Sequence, residues 1–253
     1  MWNAFVELLV TLLGSTSQLI QSLGIPYAFG FAIILFTVII RVLTFPLNWQ
    51  QIKSSIKMQE LQPKLEALQK KYRKNREKLA QEQMKLYQEA GINPLGGCLP
   101  MLIQFPIWIG LYQALYRLAD RQLLGAFLWI KDLGFPPQGT GFSWIWKPPA
   151  GMSWLDVAGY LILPLLTVVT QIIVQKMTPT TSSSSDPQQS MMNQMMMIMP
   201  LMFGFFALQV PAGLVLYWVT SNLLQLIQQY FVMNYYNTAQ LARGGDKHAG
   251  KKA

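Results

Sequence analysis

Arg41 is the residue whose position asks for a chemical explanation. In the stretch 25–48, IPYAFGFAIILFTVIIRVLTFPLN, no charged residue precedes it, and about 20 apolar residues rising 1.5 Å each cross a hydrocarbon core. Counted from Tyr27, Arg41 lies roughly 21 Å along such a helix, in the inner half of a bilayer. An arginine there costs about 2.5 to 3.5 kcal/mol, so it normally faces a polar interior and carries function. Snorkelling is the alternative, with Asn48 only about 10 Å further on. Thr37, Arg41, Thr44 and Asn48 fall at i, i+4, i+7 and i+11, which makes one polar stripe on an otherwise apolar helix and favours the interior.

Two further stripes follow the same spacing. Thr167, Gln171 and Gln175 mark one, Trp218, Asn222, Gln225 and Gln229 the other, and Gln104 sits inside another apolar segment. Polar faces are costly in lipid unless they look at each other or at water. The sequence therefore predicts a shared cavity. Arg41, Gln171, Gln175, Asn222 and Gln225 fall toward the cytoplasmic halves of their helices, so the cavity should open to the cytoplasm and be sealed outside. No Asp or Glu lies in the core of any span, which points to a counter-charge arriving on a ligand.

Catalysis finds no support. There is no HExxH, no GxSxG, no Gly-rich phosphate loop, no intramembrane carboxylate pair and no histidine in a span. Cys98 is the sole cysteine and His248 the sole histidine, so no intrachain disulfide or paired-Cys metal site exists. Met191, Met192, Met195, Met196, Met197 and Met199 could be read as soft copper ligands. Adaptable packing suits them better. The expectation is a protein with no cofactor, no metal and no enzymatic step.

The elements that must position these residues belong to an integral membrane protein. Charged residues make up 12% and hydrophobic residues 52% of the 253, against about 25% charged in an ordinary soluble domain. Residues 1–24 read as an amphipathic helix in the outer interface, apolar to Leu13 and too short before Gly14 to span. The first span covers 25–47. Residues 48–93 form a helical hairpin carrying ten bases and five acids, net +5, with Pro63 in a first turn and the bend near Lys74 to Arg76. The second span, 94–118, is interrupted by Pro100 and Pro106. An external loop at 119–153 and the start of the next helix carry Trp129, Trp144, Trp146 and Trp154 as interfacial anchors. The third span is 154–176, a flexible loop 177–190, the fourth span 191–209, the fifth 214–233, and a basic tail 234–253. No Lys or Arg precedes Arg41, while the hairpin holds ten, so the hairpin and tail are cytoplasmic and the chain runs N-out, C-in. The fold class expected is all-α, five spans around a cytoplasm-open hydrophilic groove.

The motifs FTVIIRVLTFPLN, MQELQPKLEALQKKY, NPLGGCLPMLIQFPIWIGLYQAL and PAGLVLYWVTSNLLQLIQQYFVMN resemble the YidC family of membrane protein insertases, with its Oxa-type and Albino-type relatives. The resemblance covers the whole five-helix core. It implies that Arg41 is the arginine of a hydrophilic groove, that Trp218 lines it, that Gln171 is a third-span groove residue, and that Gln104 and Trp108 belong to a second-span QxPIF-like pattern in which Trp108 stands for Phe. It implies insertion of nascent membrane proteins into the lipid bilayer without ATP, in a bacterial inner (plasma) membrane or a thylakoid membrane. The partners implied are the Sec translocon, the ribosome and signal-recognition targeting factors, with no role for DNA. A large periplasmic domain and a lipoprotein cysteine, found in some members, are expected to be missing, and the short tail implies weak ribosome binding. A small transporter or anion channel using Arg41 as its binding charge is the alternative. It predicts an outer polar path and an inverted repeat.

Overall fold

The computed structural model describes residues 1–91, 99–177 and 187–249. The start of the second span at 94, Cys98, residues 178–186 of the expected flexible loop, and Lys251 and Lys252 lie outside the described residues. So do the side chains of Met191, Met192, Met195, Met196 and His248. The described residues form helices α1 (Trp2–Ser22), α2 (Ala28–Glu60), α3 (Gln62–Lys71), α4 (Arg76–Glu89), α5 (Leu99–Asp120), α6 (Ser143–Trp146), α7 (Trp154–Met177), α8 (Pro187–Ala207) and α9 (Ala212–Ala249). Among them α1, α2 and α7 are long and apolar enough to cross a membrane, and Met197–Ala207 is a shorter apolar stretch. Phe31, Leu35, Ile39, Val42 and Leu43 on α2, and Leu155, Leu165, Val169 and Ile173 on α7, turn outward. Large apolar side chains pointing outward along whole helices are suited to lipid rather than water. The chain is an all-α polytopic membrane protein.

Several helices differ in extent from the sequence reading. α1 keeps the expected extent but is not too short to span: its apolar character runs past Gly14, and the helix is long and apolar enough to cross a membrane, since a lone glycine weakens a helix by about 1 kcal/mol without breaking it. α2 runs on from Asn48 to Glu60 and α9 from Met233 to Ala249. A change from apolar to polar side chains marks a solvent boundary rather than a helix end, and Pro46, two residues before Asn48, does not end α2. Pro106 does not interrupt α5, and Pro46, Pro164 and Pro200 likewise sit inside α2, α7 and α8. Each removes one backbone donor, a loss that spanning helices tolerate when packed neighbours restore the geometry.

The chain divides into two compact units. The first comprises Met1–Leu43, Met101–Ile173 and Met196–Leu224. Its core joins Val6, Leu9, Val10 and Leu13 of α1 to Ile33, Leu111, Leu115, Leu163, Leu214 and Tyr217. Phe5 and Leu9 lie over Gly110, where an added Cβ would come within 2.5 Å of Phe5, and Arg117 Nη1 pairs with Glu7 at 2.6 Å. α1 is thus docked on α5. Residues 121–153 are a folded cap rather than a bare loop: Leu124, Phe127, Ile130 and Leu133 are buried. The carbonyls of Phe135 and Leu133 accept from the N–H groups of Ala212 and Gly213, each at 2.8 Å, and so satisfy donors that the start of α9 would otherwise leave without partners. Trp144 departs from its expected anchor role. It is only 2% exposed, and its Nε1 donates to the Leu208 carbonyl at 3.2 Å, whereas Trp129, Trp146 and Trp154 are exposed.

The close approach at Gly30 gives a stability prediction. A Cβ there would stand 1.9 Å from Cδ2 of Phe127, while nothing lies within 4 Å at Gly14. Gly30→Ala should therefore destabilise by about 1–3 kcal/mol, because the buried ring has no room to move. Gly14→Ala should be neutral or stabilising by up to about 1 kcal/mol. Apparent melting of the purified protein in detergent reads both, and an unchanged Gly30→Ala protein would contradict the packing.

The second unit comprises Thr44–Pro100, Val174–Met195 and Gln225–Ala253. Here α3 and α4 pack as an antiparallel pair with Leu65 and Leu79 buried. Pro63 occupies the first turn of α3. Asn75 caps α4, its side chain accepting from the Lys78 N–H at 3.0 Å, and the bend falls between Lys71 and Arg76. Lys71 and Lys78 lie over the Tyr72 ring at 5.2 and 5.7 Å. Elsewhere in this unit Asn48 Nδ2 donates to Gln228 Oε1 at 3.3 Å, and Trp49 meets Tyr235 with ring centroids 5.4 Å apart.

Candidate functional site

The polar side chains of the first unit converge on α9. Thr37 and Arg41 share a face of α2. The Thr37 hydroxyl, fully buried, donates to the Ile33 carbonyl at 2.7 Å. That bond within its own helix lets a hydroxyl sit in an apolar interior. Arg41 is half-buried and turns inward: Nε and Nη2 donate to Ser221 Oγ at 3.1 and 2.7 Å. Two guanidinium N–H groups are thus engaged by a buried hydroxyl of another helix.

Ser221 continues the network. Tyr217 lies one turn before it on α9, and the Tyr217 hydroxyl accepts from Gln104 Nε2 of α5. A serine hydroxyl has one proton and two lone pairs, and Arg41 takes both lone pairs of Ser221. Arg41 thus ties α2 to α9 through Ser221, and Gln104 ties α5 to α9 through Tyr217. A second tie joins α9 to α7, where Asn222 Nδ2 donates to Thr170 Oγ1 at 3.1 Å. Thr170 and Thr167 donate in turn to the carbonyls of Leu166 and Leu163, at 2.7 and 3.0 Å.

Trp108 and Trp218 lie in an aromatic cluster. Their ring centroids are 5.7 Å apart, with Phe206 5.6 Å from Trp108 and Phe203 5.7 Å from Trp218. Trp108 Nε1 is buried with no hydrogen-bond partner among the described residues. Gln104 and Gln171 are half-buried, and Thr37, Trp218 and Asn222 are buried. Of the residues singled out in the sequence, the first unit therefore holds Thr37, Arg41, Gln104, Trp108, Gln171, Trp218 and Asn222. Thr44, Gln175 and Gln225 belong to the second unit, each half-buried and each engaged in its own interactions.

Ser221, Tyr217 and Thr170 were missed by the sequence reading. Tyr217 and Ser221 stand at i and i+4, one position before Trp218 and Asn222, so the stripe on α9 is two residues wide. Thr170 lies one position before Gln171. A scan for adjacent polar pairs along each stripe would have found all three. Among the described residues no group of three or more His, Cys, Asp or Glu is placed to hold a metal ion.

In the first unit of this membrane protein, Arg41 is turned inward and hydrogen-bonded to the buried Ser221 hydroxyl. The chain belongs to the 60Kd inner membrane protein family, whose model matches residues 20–240. It is 44% identical over 224 residues to the chloroplastic inner membrane protein PPF-1 of Pisum sativum, covering 84% of this chain and 50% of the relative. It is 41% identical over 226 residues to the chloroplastic inner membrane protein ALBINO3 of Arabidopsis thaliana, covering 84% and 48%. To the membrane protein insertase YidC of Geobacter sulfurreducens it is 41% identical over 212 residues, covering 84% and 35%. The chain spans about half, or less, of the length of these curated relatives.

Proposed function

We propose that this chain is a membrane protein insertase: it receives nascent hydrophobic segments from the cytoplasm in a positively charged hydrophilic groove and releases them into the bilayer without ATP. The observation that carries the reading is the inward-turned Arg41, bonded to the neutral Ser221 hydroxyl. A neutral acceptor orients a guanidinium without cancelling its charge. Arg41, with half-buried Gln104 and Gln171, meets the polar end of the client; Thr37, Trp218 and Asn222, being buried, support the wall from behind. The reading rests on the first unit alone.

Five spans, α2, α5, α7, α8 and α9, run N-out and C-in, with α1 held at the outer interface by its Glu7–Arg117 pair. The membrane is a bacterial inner membrane or a thylakoid. A Sec translocon, ribosomes and signal-recognition targeting factors deliver or share clients, and no catalytic step is involved. The driving force is burial of about 20 apolar residues in the bilayer. The membrane potential adds about 2.3 kcal/mol per translocated acidic charge per 100 mV. The relatives reported are named for membranes and insertion, and nothing favours the transporter alternative.

The test uses the purified full chain in vesicles of mixed neutral and anionic lipid. A single-span client, released from its ribosome and freed of nucleotide with apyrase, should become protected from external protease several-fold more than with empty vesicles. Equal protection with and without the protein, or an absolute need for ATP, would overturn the proposal.

A further inference from the structure

Arg41 is held through a buried hydroxyl of another helix. Ser221 Oγ receives both Nε and Nη2 of Arg41, at 3.1 and 2.7 Å, and Ser221 is buried, away from water that would compete for its lone pairs. Both lone pairs are turned toward the guanidinium. A fork of two N–H groups on one oxygen fixes the plane of the guanidinium as well as its position, which a lysine cannot reproduce.

We propose that Ser221 is a positioning residue for the insertion reaction, and that it sets the plane in which Arg41 presents its charge to an acidic client segment. Ser221 does not touch the client; it acts through Arg41. The inference rests on the insertase reading above, and its test separates the two.

Insertion of a single-span client with Asp near its N-terminus, and of its Asn counterpart, is measured for the parent, Ser221→Ala, Ser221→Thr and Ser221→Cys, with Arg41 or with Arg41→Lys. Ser221→Ala should slow the Asp client about fivefold, the loss of one hydrogen bond to a charged group after partial replacement by water. The Asn client should change by less than about twofold on the same scale. Ser221→Thr keeps the hydroxyl and should restore most of the rate, and Ser221→Cys, whose sulfur is a weak acceptor, should give a smaller loss of the same client dependence. With Arg41→Lys in place the fork is gone, so Ser221→Ala should add nothing. A readout independent of insertion is solvent exchange of the Arg41 Nε proton in ¹⁵N spectra, assigned by its disappearance in Arg41→Lys. It should be slow in the parent and in Ser221→Thr, and fast in Ser221→Ala. Equal exchange in parent and Ser221→Ala overturns the positioning role, as does an equal loss for Asp and Asn clients or the same loss in the lysine background. If Ser221→Ala fails to fold, Ser221→Thr and Ser221→Cys decide the matter by the same criteria. A parent that inserts neither client would instead remove the insertase reading, leaving the exchange result to stand by itself.

Discussion

Deleting Lys64 to Lys85 is expected to abolish insertion while leaving the apolar helices folded. The deleted residues hold eight bases and three acids, on two helices that pack on each other and whose buried apolar side chains are Leu65 and Leu79. The core of the first unit, from Val6 to Trp218, draws no residue from this segment, so its packing loses nothing. What disappears is a cationic surface, worth about 1 kcal/mol per Lys or Arg near an anionic partner or lipid surface. We expect its role to be recruitment of clients or targeting factors. Insertion and apparent melting are read on the same preparation. A deleted protein that inserts normally would make α3 and α4 a dispensable solvated face; one that no longer melts cooperatively would show them to be structural.

The second large effect is at Arg41. Two unit charges 4 Å apart attract by about 4 kcal/mol at an effective dielectric of 20 and by about 1 kcal/mol in water. A client carboxylate moving from water to the side chain therefore gains on the order of 3 kcal/mol before desolvation reduces it. Even a third to a half of that is about tenfold in rate. Arg41→Ala should accordingly slow an acidic client about tenfold or more, and Arg41→Glu should do worse because it adds repulsion. Arg41→Lys keeps the charge but loses the Ser221 fork, so it should slow the acidic client by about the fivefold expected of Ser221→Ala, less than Arg41→Ala does.

Periodicity made the stripes legible and left their partners hidden. Arg41 stood out because one charge follows an uncharged apolar run, and Thr37 and Asn222 fell on the same helical faces. That Thr37 is buried and bonded to its own helix was not legible, since a hydroxyl serves equally well to line a polar wall or to cap a carbonyl. Tyr217 and Ser221 were hidden for a related reason: both are ambivalent residues, Tyr217 within the buried stretch 210–219 and Ser221 two residues beyond it, and only Gln104 from α5 and Arg41 from α2 give their hydroxyls a task. α2 and α9 run on past the polarity boundaries at Asn48 and Met233, because a polarity boundary is not a helix boundary. Trp144 shows the same limit in the cap. Four tryptophans near one membrane face look alike in sequence, and only the fold sends one into the core to meet the Leu208 carbonyl.

The central claim is that Arg41 acts on the client through its charge. The measurement that tests it most directly compares insertion of the Asp client with its Asn version in the parent, Arg41→Lys, Arg41→Ala and Arg41→Glu proteins. The account predicts that the advantage of Asp over Asn survives in parent and Arg41→Lys, vanishes in Arg41→Ala and reverses in Arg41→Glu. If Arg41→Ala inserts the Asp client as well as the parent does, the electrostatic step is wrong and Arg41 serves only to tie α2 to α9.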